Sequence, residues 1–282
     1  MSFHHFSIEF FPPKAPEAFK KLRDARRQLY RLSPAYFSVT LGAGGSTRAG
    51  TQDVALEIHN EGQRVAPHVT CIGTTHEMIR EKIMEYKSQG IRHLVALRGD
   101  LPSTYGELGD FRYANELVEF VRAETDDWFH IDVAAYPEMH PQAASPQDDL
   151  TNFVRKVKAG ADAAITQYFY NPDAYFRFAE NVLAAGVDVP IIAGIMPITN
   201  YTSLARFSDT CGAEIPRWIR LKLESFGDDL VSIREFGLDV VTRLCERLLE
   251  GGAPGFHFYS LNQAAPVEAL YERLQKSGYC IE

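Results

Sequence analysis

The strongest constraint in this sequence is an alternation: eight short apolar, β-branched or aromatic runs, each followed by a longer stretch with helical spacing. The predicted strands are Ser7–Phe11, Ala35–Leu41, His68–Ile72, His93–Leu97, His130–Ala135, Ala163–Phe169, Pro190–Ile195 and Gly255–Ser260. Amphipathic stretches lie between them at Glu17–Leu32, Thr51–Glu61, Glu77–Gln89, Ala114–Ala123, Gln147–Ala159, Asp173–Ala185, Tyr201–Thr210 and Asp229–Glu250. Val267–Gln275 follows the last strand, and an extra helix fits at Pro216–Glu224. A strand that always leads into a helix and then another strand favours parallel pairing, because a parallel neighbour needs a long crossover connection. Eight such units in 282 residues fit a closed barrel better than an open doubly wound sheet. The expectation is an α/β fold: one (β/α)8 TIM barrel over residues 1–282, with one or two extra helices near the seventh and eighth units. No Pro-, Gly- or Ser-rich stretch is long enough to link two domains.

Charge and apolar runs narrow the partners. The formal net charge is 29 − 37 = −8, which repels a phosphate backbone and argues against a nucleic-acid partner. The longest apolar candidate for a membrane span, Val189–Ile198, is short and holds two prolines and a glycine. The N-terminus has no basic segment followed by an apolar one, so no secretory signal is expected and a cytoplasmic location is the default. The four cysteines, Cys71, Cys211, Cys245 and Cys280, form no CxxC pair, which fits isolated thiols rather than a zinc ribbon or a redox dithiol.

Several nucleotide and metal motifs fail on spacing. Gly42-Ala43-Gly44-Gly45-Ser46 is followed by Arg48 and Ala49, which breaks the GxGxxG pattern, and no GxxxxGK[ST] occurs. His76-Glu77 begins HExxH, but position 80 is Arg where the second ligand belongs, so no metal site is expected. His76 then reads as a residue of a helix's first turn.

In a barrel, the polar residues at the C-terminal ends of the strands converge on one mouth. Glu9 sits among Ile8, Phe10, Phe11, Pro12 and Pro13, where a carboxylate is either paired with a barrel Arg or Lys or kept protonated as a general acid. Arg98-Gly99-Asp100 ends the fourth strand with a residue that lets backbone approach a ligand, flanked by opposite charges; a local Arg–Asp ion pair is the simpler reading. The pieces Arg98–Arg112 and Tyr136–Pro146 are long loops on the same face. Asp149, Asn152, Arg155 and Lys156 form either a polar stripe for ribose and pyrophosphate or a solvated helix face. Gln167, an amide in an aromatic strand, suits the edge of a heterocycle or bonds backbone in the core.

Eight segments at strand ends together carry a resemblance: Glu9-Phe10-Phe11-Pro12-Pro13, Ser38-Val39-Thr40, Ala66-Pro67-His68-Val69-Thr70-Cys71, Gly90-Ile91-Arg92-His93, Ala96-Leu97-Arg98-Gly99-Asp100, Ala134-Ala135-Tyr136-Pro137-Glu138, Ala164-Ile165-Thr166-Gln167 and Gly255-Phe256-His257-Phe258-Tyr259-Ser260-Leu261-Asn262. Over essentially the whole chain the sequence resembles the methylenetetrahydrofolate reductases of the short bacterial type. The resemblance implies an oxidoreductase acting on CH–NH donors, with FAD as cofactor and NADH or NADPH as hydride donor. It would reduce 5,10-methylenetetrahydrofolate to 5-methyltetrahydrofolate by ping-pong hydride transfer. Glu9 then resembles the general acid that opens the bridged folate to an iminium cation, and Asp100 the carboxylate that stabilises it. Positions implied to bind FAD are Thr40, Leu41, Ala43, His68, Arg98, Gly99, Asp100, Tyr113, Ala114, Tyr136, His140, Ala143, Asp149, Asn152, Arg155 and Lys156. Positions implied to bind substrate are Thr40, Asp100, Gln167, Ser203, Phe207, Tyr259 and Gln263. Gln263 stands where many relatives carry an Arg suited to the folate glutamate tail, and Ser203 replaces an amide. Folate and nicotinamide are the implied partners, and a homo-oligomer is admitted. The alternative is a flavin-free folate-binding barrel of the methyltransferase type.

Overall fold

The structure, a computed structural model, describes residues 3–41, 48–100 and 109–281, except for the side chains of Phe3, His4, Arg48, Ala49, Cys280 and Ile281. Eight strands run in the expected places: β1 (Phe3–Phe10), β2 (Tyr36–Val39), β3 (Val65–Thr70), β4 (His93–Leu97), β5 (His130–Ala135), β6 (Ala163–Thr166), β7 (Ile191–Ile195) and β8 (Gly255–Tyr259). Every pairing is parallel, in the order β2-β3-β4-β5-β6-β7-β8-β1, and β1 also pairs β2, so the sheet closes on itself. The closing registers are Glu9↔Ser38 on one side and Glu9↔Tyr259 on the other. A short ninth strand, β9 (Cys280–Ile281), which the sequence does not announce, pairs Phe3↔Cys280 at the start of β1.

Helices α1 (Pro16–Leu29), α2 (Arg48–Asn60), α3 (His76–Ser88), α4 (Ala114–Thr125), α5 (Pro146–Lys158) and α6 (Pro172–Ala184) follow the first six strands one by one. The β7–β8 connection holds three: α7 (Tyr201–Cys211), α8 (Arg217–Phe226) and α9 (Leu230–Glu250). Helix α10 (Ala265–Lys276) follows β8. Two helices therefore exceed one per unit, as expected near the seventh and eighth units. The boundaries follow local chemistry: Thr75, Ser145, Asn171, Asn200 and Asp229 each accept a backbone N–H at the start of α3, α5, α6, α7 and α9. Among the described residues no helix is long and apolar enough to cross a membrane.

Strand alternation sorts side chains onto two faces. On β1, Phe6, Ile8 and Phe10 are buried in the large outer core beneath the helices, with Leu22, Leu29, Leu270 and Leu274. Ser7 and Glu9 have the opposite parity and face the barrel interior. That interior is thinly apolar: Ala66, Val95 and Ile165 cluster with Tyr36, Leu97 and Ile192. The observed β3 begins at Val65, before Pro67, where the spacing predicts a start at His68. The β3–β4 ladder itself begins at His68↔Val95, so Pro67, which has no N–H to donate, precedes it.

Candidate active site

Glu9 lies near the C-terminal end of β1, and its Oε2 stands 3.5 Å from the Nε2 of both His68 and His257. No Arg or Lys pairs with it among the described residues, so the pairing expected of a structural carboxylate is replaced by two imidazoles. His257 is fully buried; its Nδ1 meets the Ser7 hydroxyl at 2.7 Å and its Nε2 lies 3.4 Å from that of Ser38. His68 is buried as well, and burial, opposed by the Glu9 charge, lowers its pKa to about 4. It is therefore neutral at pH 7. Above this group Tyr259 donates its phenol to the Thr166 carbonyl at 2.8 Å and sits edge-on to the His257 ring.

Two devices hold this corner. Asn262 accepts the Phe11 N–H at 3.0 Å and donates to the Phe11 carbonyl at 2.8 Å, clamping the ends of β1 and β8 together. Its φ of 58° is one that Asn tolerates better than most residues. Gly194 on β7 leaves room for Tyr259: a Cβ there would lie 2.1 Å from the Thr166 carbonyl oxygen and 2.8 Å from the Tyr259 ring.

Beside it opens a cleft of about 760 Å³. Of the residues singled out in the sequence, Leu41, Arg98, Gly99, Asp100, Ala114, Tyr136, His140, Lys156 and Gln167 line it. Thr70, Thr210 and Cys211 also line it, although sequence reasoning did not single them out as site residues. Thr40 is buried next to Leu41, and its hydroxyl has no hydrogen-bond partner among the described residues; the same holds for Nε2 of His68. Gly99 has φ +85°, and a Cβ there would meet Thr70 at 3.0 Å, so only glycine lets this backbone form the cleft wall. Arg98 donates to the Gln142 side chain and to the Gly99 carbonyl; the Arg98–Asp100 ion pair is not formed. Gln167 accepts the Tyr168 N–H at 3.0 Å through its carboxamide oxygen.

The α5 stripe divides. Lys156 reaches inward to donate to the Ala134 carbonyl, and burial, opposed by Asp149, lowers its pKa to about 8. Asp149 accepts the His140 N–H at 2.8 Å and so fixes the loop after β5, where Ala143 bonds back to the His140 carbonyl at 2.9 Å. Tyr136 and His140 meet edge to face in that loop, and burial raises the first to about 12 and lowers the second. Asn152 and Arg155 are exposed, bond each other at 3.0 Å and do not line the cleft. Tyr113 is exposed at the N-cap of α4.

Ser203 and the half-exposed Phe207 lie on α7, the helix whose Thr210 and Cys211 reach the cleft; the Arg206 guanidinium covers the Phe207 ring at 5.6 Å. Gln263 lines a different and more apolar cavity of about 280 Å³, between the loop after β7, α9 and α10. Ala43 lies outside the described residues. His257 is the main residue sequence reasoning passed over; its signal was parity, two residues before Tyr259 on the same strand face.

Comparison with known proteins adds an independent line. A sequence model of the family "Methylenetetrahydrofolate reductase" matches residues 2–275. The chain is 41% identical over 269 residues to the 5,10-methylenetetrahydrofolate reductase of Salmonella typhimurium, covering 95% of this chain and 90% of that one. It is 40% identical, with the same coverage, to the 5,10-methylenetetrahydrofolate reductase of Escherichia coli. Among solved structures, a Clostridium thermocellum protein that binds two copies of 5-methyl-5,6,7,8-tetrahydrofolic acid superposes with a TM-score of 0.67 at 18% identity, covering 98% of this chain and 95% of that one. At that identity the likeness speaks for the fold.

Proposed function

This chain belongs to the methylenetetrahydrofolate reductase family, and from that premise we propose that it reduces 5,10-methylenetetrahydrofolate to 5-methyltetrahydrofolate with FAD and a reduced nicotinamide. The observation that carries the reading is Glu9: a carboxylate inside the barrel mouth with two imidazoles, and no Arg or Lys among the described residues, beside it, where the neighbouring strand β3 runs on from His68 to Thr70 in the wall of a cleft of ligand size. A nearby Arg or Lys would hold such a carboxylate ionised. Here its neighbours are the His68 and His257 imidazoles, each at 3.5 Å, and Glu9 is assigned as the group that passes a proton to N10 of the bridged folate.

The residues present fit FAD. The buried Thr40 hydroxyl lacks a hydrogen-bond partner among the described residues, and a ligand at the mouth would satisfy it. Arg98 and Lys156 supply cationic groups at the cleft wall of an acidic protein, suited to a pyrophosphate. When bound, FAD would take hydride from the nicotinamide and return it to the folate. Asp100 would face the cation left by ring opening with a negative charge, Gln167 would bond the heterocycle edge, and Phe207 and Tyr259 would bound the mouth. Asp149 would act at one remove, by holding the loop that carries His140.

The test is Glu9→Gln, with the two half-reactions followed separately. Loss of a general acid lowers folate reduction by about 10²–10⁴-fold, while bleaching of the flavin by NADH or NADPH should continue at the parent rate. Parent-rate folate reduction by the variant would overturn the acid assignment. A colourless protein that gains no flavin bands on addition of FAD would overturn the cofactor.

A further inference from the structure

A second polar cluster sits at the other end of the barrel. His93 and His130 are the first residues of β4 and β5 and are register partners, so both lie on the face opposite the cleft. Between them the buried Asp132 carboxylate meets His93 Nε2 at 2.8 Å through Oδ2 and His130 Nε2 at 3.2 Å through Oδ1. The three ligand atoms lie within 4.8 Å of one another, and the two rings stand at 72° with centroids 4.5 Å apart. The chemistry of the mouth does not use any of these residues.

We propose that His93, His130 and Asp132 form a site for a divalent transition ion of the zinc class. A tetrahedral ion with bonds of about 2.0–2.1 Å holds its ligand atoms about 3.3 Å apart; the ligand atoms here lie within 4.8 Å of one another, with the two carboxylate contacts at 2.8 and 3.2 Å, so side-chain rotation alone has to bring one Asp132 oxygen and both imidazole nitrogens to that spacing. Two imidazoles and one carboxylate suit zinc better than magnesium or calcium, which take oxygen donors. The surroundings supply an outer partner for the carboxylate and place a second carboxylate near one imidazole. Tyr36 donates to Asp132 Oδ2 at 2.6 Å and packs on the His93 ring, and Asp162 Oδ2 stands 4.0 Å from His130 Nδ1, the nitrogen turned away from the site. Asp162 is itself held by the Ile131 N–H and Arg122. His130 is about half exposed, which gives the ion an entrance and leaves the fourth position open to water. On binding, each imidazole presents an unprotonated Nε2 to the ion, a proton held there moving to Nδ1 or to solvent, and the ion ties β4 to β5, with Tyr36 of β2 behind them.

The experiment is equilibrium dialysis of the chelator-stripped, full-length protein against Zn²⁺, with metal analysis, X-ray absorption and melting temperature. The expected result is one Zn²⁺ per chain in a nitrogen and oxygen shell without sulfur, with a melting temperature that rises with Zn²⁺. His130→Ala should weaken binding by more than tenfold and abolish the rise, while His76→Ala, at the start of α3 on the cleft side of the barrel, should change neither. Asp132→Asn tests the buried ligand; if it does not fold, the half-exposed His130 still decides the matter. No retained zinc, a sulfur-containing shell, or parent-like binding by His130→Ala would each overturn the site.

Discussion

Single side chains at the mouth are tuned by burial more than by partner charge. His68 gives the clearest pH signature. An unfolded chain takes up a proton at this imidazole near pH 6.5, but the folded one does so only near pH 4. The unfolded state therefore binds more protons between these values, and stability falls as pH drops through that window. The contribution is on the order of 3 kcal/mol. Denaturant melts of the parent and His68→Gln from pH 7 to pH 4 should show the parent losing its stability relative to the variant; a constant difference would contradict the neutral buried imidazole. Lys156 gives the opposite kind of test. Its pKa of about 8 places its deprotonation just above neutrality, so FAD affinity should weaken above pH 8 by up to roughly tenfold per pH unit. Flavin fluorescence quenching would read this, and Lys156→Met should remove the slope. At this scale the sequence was informative where a residue type was improbable in its surroundings, as with Glu9 between Ile8 and Phe10. It was silent on His257, because an imidazole on a strand carries no mark of what the closed barrel sets opposite it.

Elements add a constraint no single residue expresses, because strand register decides which backbones touch. Gly194 on β7 lies against the Thr166 carbonyl, the same oxygen that receives the Tyr259 phenol. Gly194→Ala forces that contact apart and should lower stability by about 1–3 kcal/mol, measured by urea melts. On the proposed reading of the mouth it should also raise KM for folate, since the Tyr259 ring 2.8 Å from the added Cβ has to shift. Most element positions were legible from periodicity and caps: β4 and β5 start and stop where the spacing predicts, and Pro216 stands at the N-cap of α8 as an N-terminal breaker would. The strand ends were less so. β2 and β6 are shorter than their apolar runs: beyond Val39 and Thr166 one further N–H each, of Thr40 and Gln167, bonds the neighbouring strand, and Leu41 and Gln167 line the cleft. The two-residue β9 is too short to leave a periodic signal.

The whole molecule depends on one closure. β1 pairs with both β8 and β2, so residues 250 and 251 apart in sequence are neighbours, as in the Ser7–His257 and Asn262–Phe11 contacts. We propose that the chain unfolds as a single unit, since opening the sheet at any seam exposes both the interior and the outer core. Calorimetry should give one transition with equal calorimetric and van't Hoff enthalpies; two separable transitions would divide the chain into independent parts. The eightfold count was legible because each unit repeats the same apolar rhythm. Which polar residues would face each other across the barrel was not, since that depends on the stagger of strands after closure.

Closure also separates the order of the units along the chain from their order in space. Parallel β9 lies beside the first residues of β1, so the two ends of the described chain run next to each other at the base of the barrel. A ring has no first member. A circularly permuted chain, with its ends joined there and new termini opened in the turn at residues 61–64 between α2 and β3, would keep every strand beside its present neighbours. The linear order of the polypeptide is one of several that encode the same circle.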